Sequence, residues 1–537
     1  MAKLPPARPE AVTLVASIFL LAAFNLPLFR HLASLVEQTG GWLIPGIFLA
    51  IVLFIFNLIL NLLATRWTLK PLLITLLLLS AGATYFMQEY GILIDVGMLR
   101  NVIETDVGEV KGLLSLEFFG YLIILGVIPS VLLWRLPIRY RDLPRAALSK
   151  FIVTVSSVAV IGLLAISNYQ GISSLLRNHH ELRLMIVPSN VIGAAMAYAG
   201  EQAVTAHRPF EHVAMDARLG AGWGKHTRKS LTVLVVGESV RADNLGVLGY
   251  NRDTTPELAK VEGLLAFTNV HSCGTETAVS VPCMFSNMTR KGYSAGAAAN
   301  REGLLDVLKR AGLDVIWLDN QSGCKGTCAR VGYTNLNNSP DATYCNDGEC
   351  HDEILLRDLP KLLDNLQRDT VLVLHQMGSH GPEYFKRVPA GFDHFQPICR
   401  SNALNNCTQE QIVNAYDNTI RYTDHVLARL ITMLDNSKGN DTALLYLADH
   451  GESLGEYNLY LHGTPYLIAP EQQKHVPLLA WFSEGYRQDF GVDVSCLEAS
   501  EDRPLSHDNL FHSMLGLLQV STDEYHADLD LFSACRK

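Results

Sequence analysis

Apolar positions dominate the first third of the chain and thin out abruptly after residue 168. Five runs, at about 11–29, 42–64, 71–87, 116–134 and 151–167, are almost wholly apolar. A helix needs roughly 20 such residues to cross a bilayer. The third and fifth runs fall a little short but contain no charged residue. Together they predict a five-helix transmembrane domain over residues 1–167. The first run has the length of a signal peptide, but it lacks a small-residue cleavage site and further spans follow, so it predicts an anchor.

Basic residues orient these spans. Lys3 and Arg8 precede the first, Arg66 and Lys70 separate the second from the third, and Arg135, Arg139, Arg141, Arg145 and Lys150 separate the fourth from the fifth. Positive residues favour the cytoplasmic side, so an odd number of spans places everything after residue 167 outside. The loop between spans three and four is then outside as well. In it Asn101, Thr105 and Glu109 recur at i, i+4 and i+8, on one face of a helix. A solvated polar face is the plainer reading; a lipid-headgroup site with Glu109 facing an ammonium is the sharper one.

Residues 168–230 read as interfacial helices and a linker. Leu175, Leu176 and the run Leu182 to Val187 are interleaved with Arg177, His179, His180, Glu181 and Arg183, as in an amphipathic helix lying on a membrane. A second helix is expected near 190–203, and the Gly-rich, basic stretch Gly220 to Lys229 reads as a linker. From residue 231 the period changes. Short β-branched runs at Leu231–Gly237, Asp314–Leu318, Thr370–Leu374, Thr442–Leu447 and Val476–Phe482 alternate with helical stretches, predicting an α/β domain over 231–537 with a mostly parallel sheet. Ligands in such sheets bind beyond the carboxyl ends of the strands.

Composition sharpens the picture in two places. Apolar residues are 49% and charged residues 18% of the 537, with a net charge of −10, which excludes nucleic acid as a main partner. All ten cysteines lie between Cys273 and Cys535. The close pairs Cys273/Cys283, Cys324/Cys328, Cys345/Cys350 and Cys399/Cys407 predict short-loop disulfides and an oxidising compartment, which agrees with the orientation of the spans. A fifth bridge between Cys496 and Cys535 is open, as is a zinc site built from Cys324, Cys328, Cys345 and Cys350, whose spacings do not match CxxC pairs.

The candidate chemistry stands at strand ends. Glu238, with Ser239 and Arg241, follows the first strand, and Asp449-His450-Gly451-Glu452 follows the strand at 442–447. His375 and His380 follow the strand at 370–374, and His462 lies in Leu461-His462-Gly463. Thr277 sits in a cysteine-flanked turn entering a short helix, where free N–H groups favour a phosphate. A threonine hydroxyl is inert at neutral pH unless activated. Glu238, Asp449, His450 and Thr277 would form a tetrahedral zinc site that eases loss of the Thr277 proton. His380 and His462 suit a second metal or a phosphate, and Lys325, in Cys324-Lys325-Gly326-Thr327-Cys328, suits a phosphate. Each has a plainer reading: Glu238 as a helix cap, any one histidine as structural.

Taken together, Gly237-Glu238-Ser239 with Arg241, the stretch Cys273 to Cys283, His380-Gly381-Pro382, Asp449 to Glu456 and Leu461-His462-Gly463 resemble the lipid A phosphoethanolamine transferases, among them the mobile colistin-resistance enzymes. The resemblance covers the whole chain. It implies an alkaline-phosphatase-like (sulfatase-like) periplasmic domain on a multi-pass bacterial inner-membrane anchor, working as a monomer. By matching position it implies catalytic zinc on Glu238, Thr277, Asp449 and His450, and Thr277 as nucleophile. It further implies a second metal or phosphate site at His380 and His462, substrate phosphate at Lys325, and the lipid donor phosphatidylethanolamine near Asn101, Thr105 and Glu109. The implied reaction moves phosphoethanolamine from that donor to a lipid A phosphate through a covalent threonine intermediate, conferring resistance to polymyxins. Transfer to a glycan, or of phosphoglycerol, is the alternative. A sulfatase-like hydrolase has no need of five spans, and a non-enzymatic scaffold predicts lost ligands. At Glu276, before the nucleophile, the chain departs from the family pattern, where Ala is frequent.

Overall fold

The computed structural model describes residues 6–39, 41–104, 113–179, 181–337, 339–346 and 349–536. Two compact units divide the chain: Met1–Leu99 with Leu114–Ala197, and Arg100–Leu113 with Tyr198–Lys537. The stretch expected as a linker, 168–230, is shared between them.

The first unit is helical. Pro9–Phe24 (α1) and Leu26–Thr39 (α2) are followed by Leu43–Leu63 (α3), Leu69–Glu89 (α4) and Val96–Glu104 (α5). Next come Leu116–Arg135 (α6), which carries a π-helical stretch at Leu122–Val127, and Leu143–Ser167 (α7). Four of these, α3, α4, α6 and α7, are long and apolar enough to cross a membrane, and the α1–α2 pair makes a fifth if its 68° bend lies within one span. Where one straight span is expected at about 11–29, the chain forms two helices meeting at a sharp break. The break falls at Asn25, two residues before Pro27, whose ring cannot accept the carbonyl four residues back and has no N–H to offer. The buried Asn25 side chain takes over part of the lost ladder: it donates to the carbonyls of Leu20 and Val187 and accepts from the Val187 N–H at 2.8 Å.

Helices approach closely where side chains are small. A Cβ on Gly126 of α6 would lie 3.1 Å from Leu78 and 3.3 Å from Ala81 of α4, the small-residue contact that membrane helices favour. Outward faces remain apolar, with Ile123, Ile124, Leu132, Phe151, Leu163 and Ile166 exposed, as suits lipid contact. The basic segments expected to share one end do so: Ala7 pairs with the 137–139 backbone, and Lys70 donates to the Trp134 carbonyl at 2.7 Å. After α7 come Tyr169–Asn178 (α8), Leu182–Met185 (α9) and Ser189–Ala206 (α10).

The second unit is built on a seven-stranded sheet. Its strands are Lys229–Gly237 (β1), Leu265–Phe267 (β2), Asp314–Asp319 (β3), Gly332–Asn335 (β4), Thr370–His375 (β5), Asn440–Ala448 (β6) and Leu478–Phe482 (β7), in the spatial order β2-β7-β6-β1-β5-β3-β4. Pairing is parallel from β6 through β1, β5 and β3 to β4, and antiparallel at β7 and β2. The sheet is thus mixed, with its parallel part running from β6 to the β4 edge and its antiparallel strands at the other edge. The central strands are buried on both faces, which is why β1, β5 and β6 read as nearly continuous apolar runs. In register, Gly237 sits beside Ala448 and Val236 beside His375, so the residues that follow these strands emerge together at one sheet edge.

The four expected disulfides, Cys273–Cys283, Cys324–Cys328, Cys345–Cys350 and Cys399–Cys407, are all formed, and so is a fifth between Cys496 and Cys535. The alternative zinc site of Cys324, Cys328, Cys345 and Cys350 is thereby ruled out, since each of them is bonded to another sulfur. Cys399 is buried and Cys407 only half-buried. Their bridge braces the start of the long helix Gln409–Asp435: Cys407 precedes its capping residue Thr408, and the Cys399 N–H donates to the Gln411 carbonyl at 3.0 Å.

Candidate active site

Glu238 leaves β1, Asp449 and His450 leave β6, and all three are fully buried. Thr277, 4% exposed, is the first residue of the helix Thr277–Met284 (α11), where helical N–H groups have no intrahelical partner. Its hydroxyl donates to Glu238 Oε2 at 2.9 Å and lies 3.3 Å from His450 Nε2. That same Nε2 lies 3.4 Å from Glu238 Oε1 and 3.4 Å from Asp449 Oδ2. A strand end, a second strand end and a helix start, far apart in sequence, thus point four donor atoms at one spot.

These donors fit a metal ion. Glu238, Asp449 and His450 each offer one atom, all within 4.8 Å of one another. Bonds of about 2.0–2.1 Å would place tetrahedral ligand atoms about 3.3 Å apart, close to the spacings observed. Asp449 Oδ1 accepts from the N–H groups of Ser239 and His450, whereas the buried Oδ2 has no hydrogen-bond partner among the described residues. A buried carboxylate oxygen left without a donor is costly unless a cation faces it.

The electrostatics follow. Burial pushes the Glu238 carboxyl up, but the charges of His450, His380 and His462 outweigh it and bring it to about 2. Burial, and the negative Glu238 beside it, push Asp449 up to about 7. Burial opposes charge on His450, yet Asp449 and Glu238 hold its pKa above the ordinary histidine value. A site that keeps one carboxylate charged and crowds a second against it is built for a cation.

Glu238 also belongs to a second group, with His380 and His462, of the same compactness. The rings of His450 and His462 lie 4.4 Å apart and those of His380 and His462 5.4 Å apart. The structure thus brings His380 and His462 to the Glu238 cluster. Lys325, at φ +49°, donates to the Ser322 hydroxyl at 2.9 Å. It lines a cavity of about 270 Å³ with Ala278 and Pro282 of α11, Phe285, Arg301 and Arg330. Asn101 is half-buried in α5, and Thr105 and Glu109 lie outside the described residues.

Several supporting residues carried little or no signal in the sequence. Ser239, at φ +57°, donates its hydroxyl to Glu238 Oε1 and its N–H to Asp449. Gln321, just past β3, donates to Glu238 Oε2 at 3.1 Å. Glu452 Oε2 lies 2.7 Å from His462 Nδ1, and its other oxygen accepts from the buried Tyr384 hydroxyl at 2.7 Å. Glu452 and Ser239 were announced, by their places in the Asp449-His450-Gly451-Glu452 and Gly237-Glu238-Ser239 runs, whereas Gln321 and Tyr384 were not. Asp319 and His375 form a fully buried pair at 3.0 Å at the ends of β3 and β5.

Comparison with known proteins fits this geometry. A family model described as Sulfatase matches residues 230–520, and one described as Phosphoethanolamine transferase EptA/EptB matches 52–203. The phosphoethanolamine transferase EptA of Escherichia coli (strain K12) is 40% identical over 542 residues, spanning 100% of this chain and 98% of the relative. The chain belongs to the phosphoethanolamine transferase family. Another relative, the phosphatidylethanolamine transferase Mcr-1 of Escherichia coli, is 36% identical over 96% of each chain. Among solved structures, the integral membrane lipooligosaccharide phosphoethanolamine transferase A (EptA) of Neisseria meningitidis superposes with a TM-score of 0.95 at 34% identity, covering 99% of this chain and 100% of that one. This transferase is therefore a multi-pass membrane protein with a sulfatase-like domain, as its own helices and sheet require.

Proposed function

We propose that this chain transfers phosphoethanolamine from phosphatidylethanolamine to a phosphate of lipid A, with Thr277 as the nucleophile. The observation that carries the reading is the Thr277 hydroxyl at the start of α11, donating to Glu238 within a buried, cation-demanding cluster. The names of the relatives support the donor and the lipopolysaccharide-class acceptor.

In the first half-reaction the Thr277 oxygen bonds to phosphorus and the phosphorus–oxygen bond to diacylglycerol breaks. The threonine proton passes by way of Glu238, which already accepts it as a hydrogen bond, and ends on the departing diacylglycerol oxygen. The free N–H groups at the start of α11 face the oxygens of the phosphoryl group. In the second half-reaction a lipid A phosphate oxygen gives up its proton and bonds to phosphorus, and the Thr277 oxygen leaves and takes up that proton. Splitting one transfer into two lets a single site serve two lipids in turn. Glu238, Asp449, His450 and Thr277 would hold zinc, with His380 and His462 available to a second ion or the phosphate. Zinc there would ease loss of the threonine proton and offset phosphoryl charge. Lys325, held in its disulfide loop, would steer substrate phosphate, and Asn101, Thr105 and Glu109 the lipid donor.

The enzyme would act as a monomer in the bacterial inner membrane with its sheet domain in the periplasm. The added amine would offset negative charge on lipid A and so weaken binding of cationic peptides such as polymyxin and colistin. Mass spectrometry of lipid A from a Gram-negative host expressing the chain tests this. Wild type should add one phosphoethanolamine and Thr277→Ala none. An addition that survives Thr277→Ala would sink the mechanism; no addition from well-inserted wild type would remove lipid A as acceptor and direct attention to glycans.

A further inference from the structure

We infer that the transmembrane unit carries a metal site of its own, formed by His31, His179 and Glu181, that takes a borderline divalent cation such as zinc. His31 lies on α2, 150 residues from Glu181 in sequence. His179 follows α8 as its C-cap, and Glu181 precedes α9. His31 Nε2 stands 3.0 Å and His179 Nδ1 stands 3.1 Å from the same oxygen, Glu181 Oε1. The three donor atoms lie within 4.8 Å of one another, and the two rings cross at 74° with centroids 5.9 Å apart. Two imidazole nitrogens from separate elements therefore converge on one carboxylate oxygen.

The chemistry suits a three-ligand site with a water in the fourth position. Two neutral imidazoles and one carboxylate are ordinary ligands for zinc and its neighbours in the first transition row. The nitrogen-to-oxygen separations of 3.0 and 3.1 Å need only small movements to reach the spacing of about 3.3 Å that such bonds require, and the two nitrogens lie within 4.8 Å of each other. Binding calls for each histidine to carry its proton on the ring nitrogen turned away from Glu181, which no covalent constraint prevents.

Packing holds the ligands in place. The residues flanking His31 on the inward face of α2, Leu28, Leu32 and Leu35, are buried in the same apolar core as Leu182 and Val187. The backbone bonds Leu182 N–H to His179 carbonyl and Leu184 N–H to Glu181 carbonyl fix the turn that presents the other two ligands. All three side chains are partly open, at 27%, 30% and 19% exposure, and are not sealed inside the helical core. A bound ion would clamp the helix after the Asn25 break to the α8–α9 turn. None of these residues belongs to the Glu238 cluster, so the inference stands apart from the proposed transfer reaction.

The test is zinc binding by the full-length protein in detergent, with zinc chloride as the probe. Metal per chain is measured at fixed free zinc for wild type, His31→Ala/His179→Ala and Glu181→Gln. The double variant should hold one zinc fewer than wild type while keeping transferase activity. Glu181→Gln, nearly isosteric and still able to hydrogen-bond, should weaken that zinc by more than the ~10–100-fold typical of losing an outer-shell partner. X-ray absorption on a Glu238→Ala/His450→Ala/His462→Ala background, which disables both groups around Glu238, should show zinc bound by two imidazoles and oxygen. Equal zinc number and affinity in wild type and Glu181→Gln would overturn the inference and leave a hydrogen-bonded tie, and that comparison holds even if the double variant fails to fold.

Discussion

Metal affinity at the Glu238 cluster should rise with pH through neutrality, and its size can be worked from Asp449. Full burial, and then crowding by Glu238, lift this carboxyl to about 7 in the metal-free protein. At pH 6 roughly nine-tenths of it is protonated and at pH 8 roughly one-tenth, so clearing the proton strengthens apparent zinc affinity about 10-fold over that interval, or ~1.4 kcal/mol. His450, also held above its ordinary value, adds a contribution of the same sign. Glu238, near 2, is ionised throughout and adds none. Competition against a chromophoric chelator at pH 6, 7 and 8, corrected for the chelator's own protonation, measures this for the tight site. Calorimetry in two buffers of different ionisation enthalpy counts the protons released. Asp449→Asn should weaken binding and remove the Asp449 share of the slope, whereas Glu238→Gln should weaken binding and shrink that share, because the charge that helps lift Asp449 is gone. For stability of the metal-free protein the sign reverses. The folded state binds this proton more tightly than an unfolded aspartate of pKa 3.8 does, so stability falls as pH rises from about 4 through 7. Affinity constant within twofold from pH 6 to 8 would refute the reasoning.

Gly378 has φ +54°, and a Cβ there would lie 2.5 Å from the Glu238 carbonyl oxygen and 3.0 Å from its nitrogen. Gly378→Ala should therefore lower stability by about 1–3 kcal/mol and reduce bound metal together with it; an unchanged melting temperature would count against this packing. Removing the Cys496–Cys535 bridge, which joins residues 39 apart, should cost about 4 kcal/mol by loop entropy. In a unit of this size that is a fall of roughly 5 °C in melting temperature, and a fall below about 1 °C in Cys496→Ser/Cys535→Ser would contradict it. Glu452→Gln, which takes the charge from the partner of His462 and Tyr384, should lower activity or metal affinity about 10–100-fold. Full activity with wild-type metal content would show that His462 needs no such orientation.

Much of this protein is written in local pattern. Apolar runs long enough for a bilayer, basic residues at one end of them and β-branched runs closing on Glu238 and Asp449-His450 are each one-dimensional signals, because burial on both faces or in lipid acts on every residue of an element. Close cysteine pairs such as Cys399 and Cys407 are legible for a related reason, the chain between them being too short to wander. Other features depend on what lies across the fold. The break at Asn25 is stabilised by Val187, 162 residues away. Gln321 reaches Glu238 only because β3, β5 and β1 stand side by side, and Cys496 finds Cys535 only when the domain closes. The mixed sheet edge is likewise set by pairing and not by the composition of β7 or β2. The convergence of His31 on His179 and Glu181 has no local signature at all. Sequence determines which side chains an element presents. Tertiary structure decides which of them share a point in space, and metal binding and nucleophile activation both turn on distances of about 3 Å.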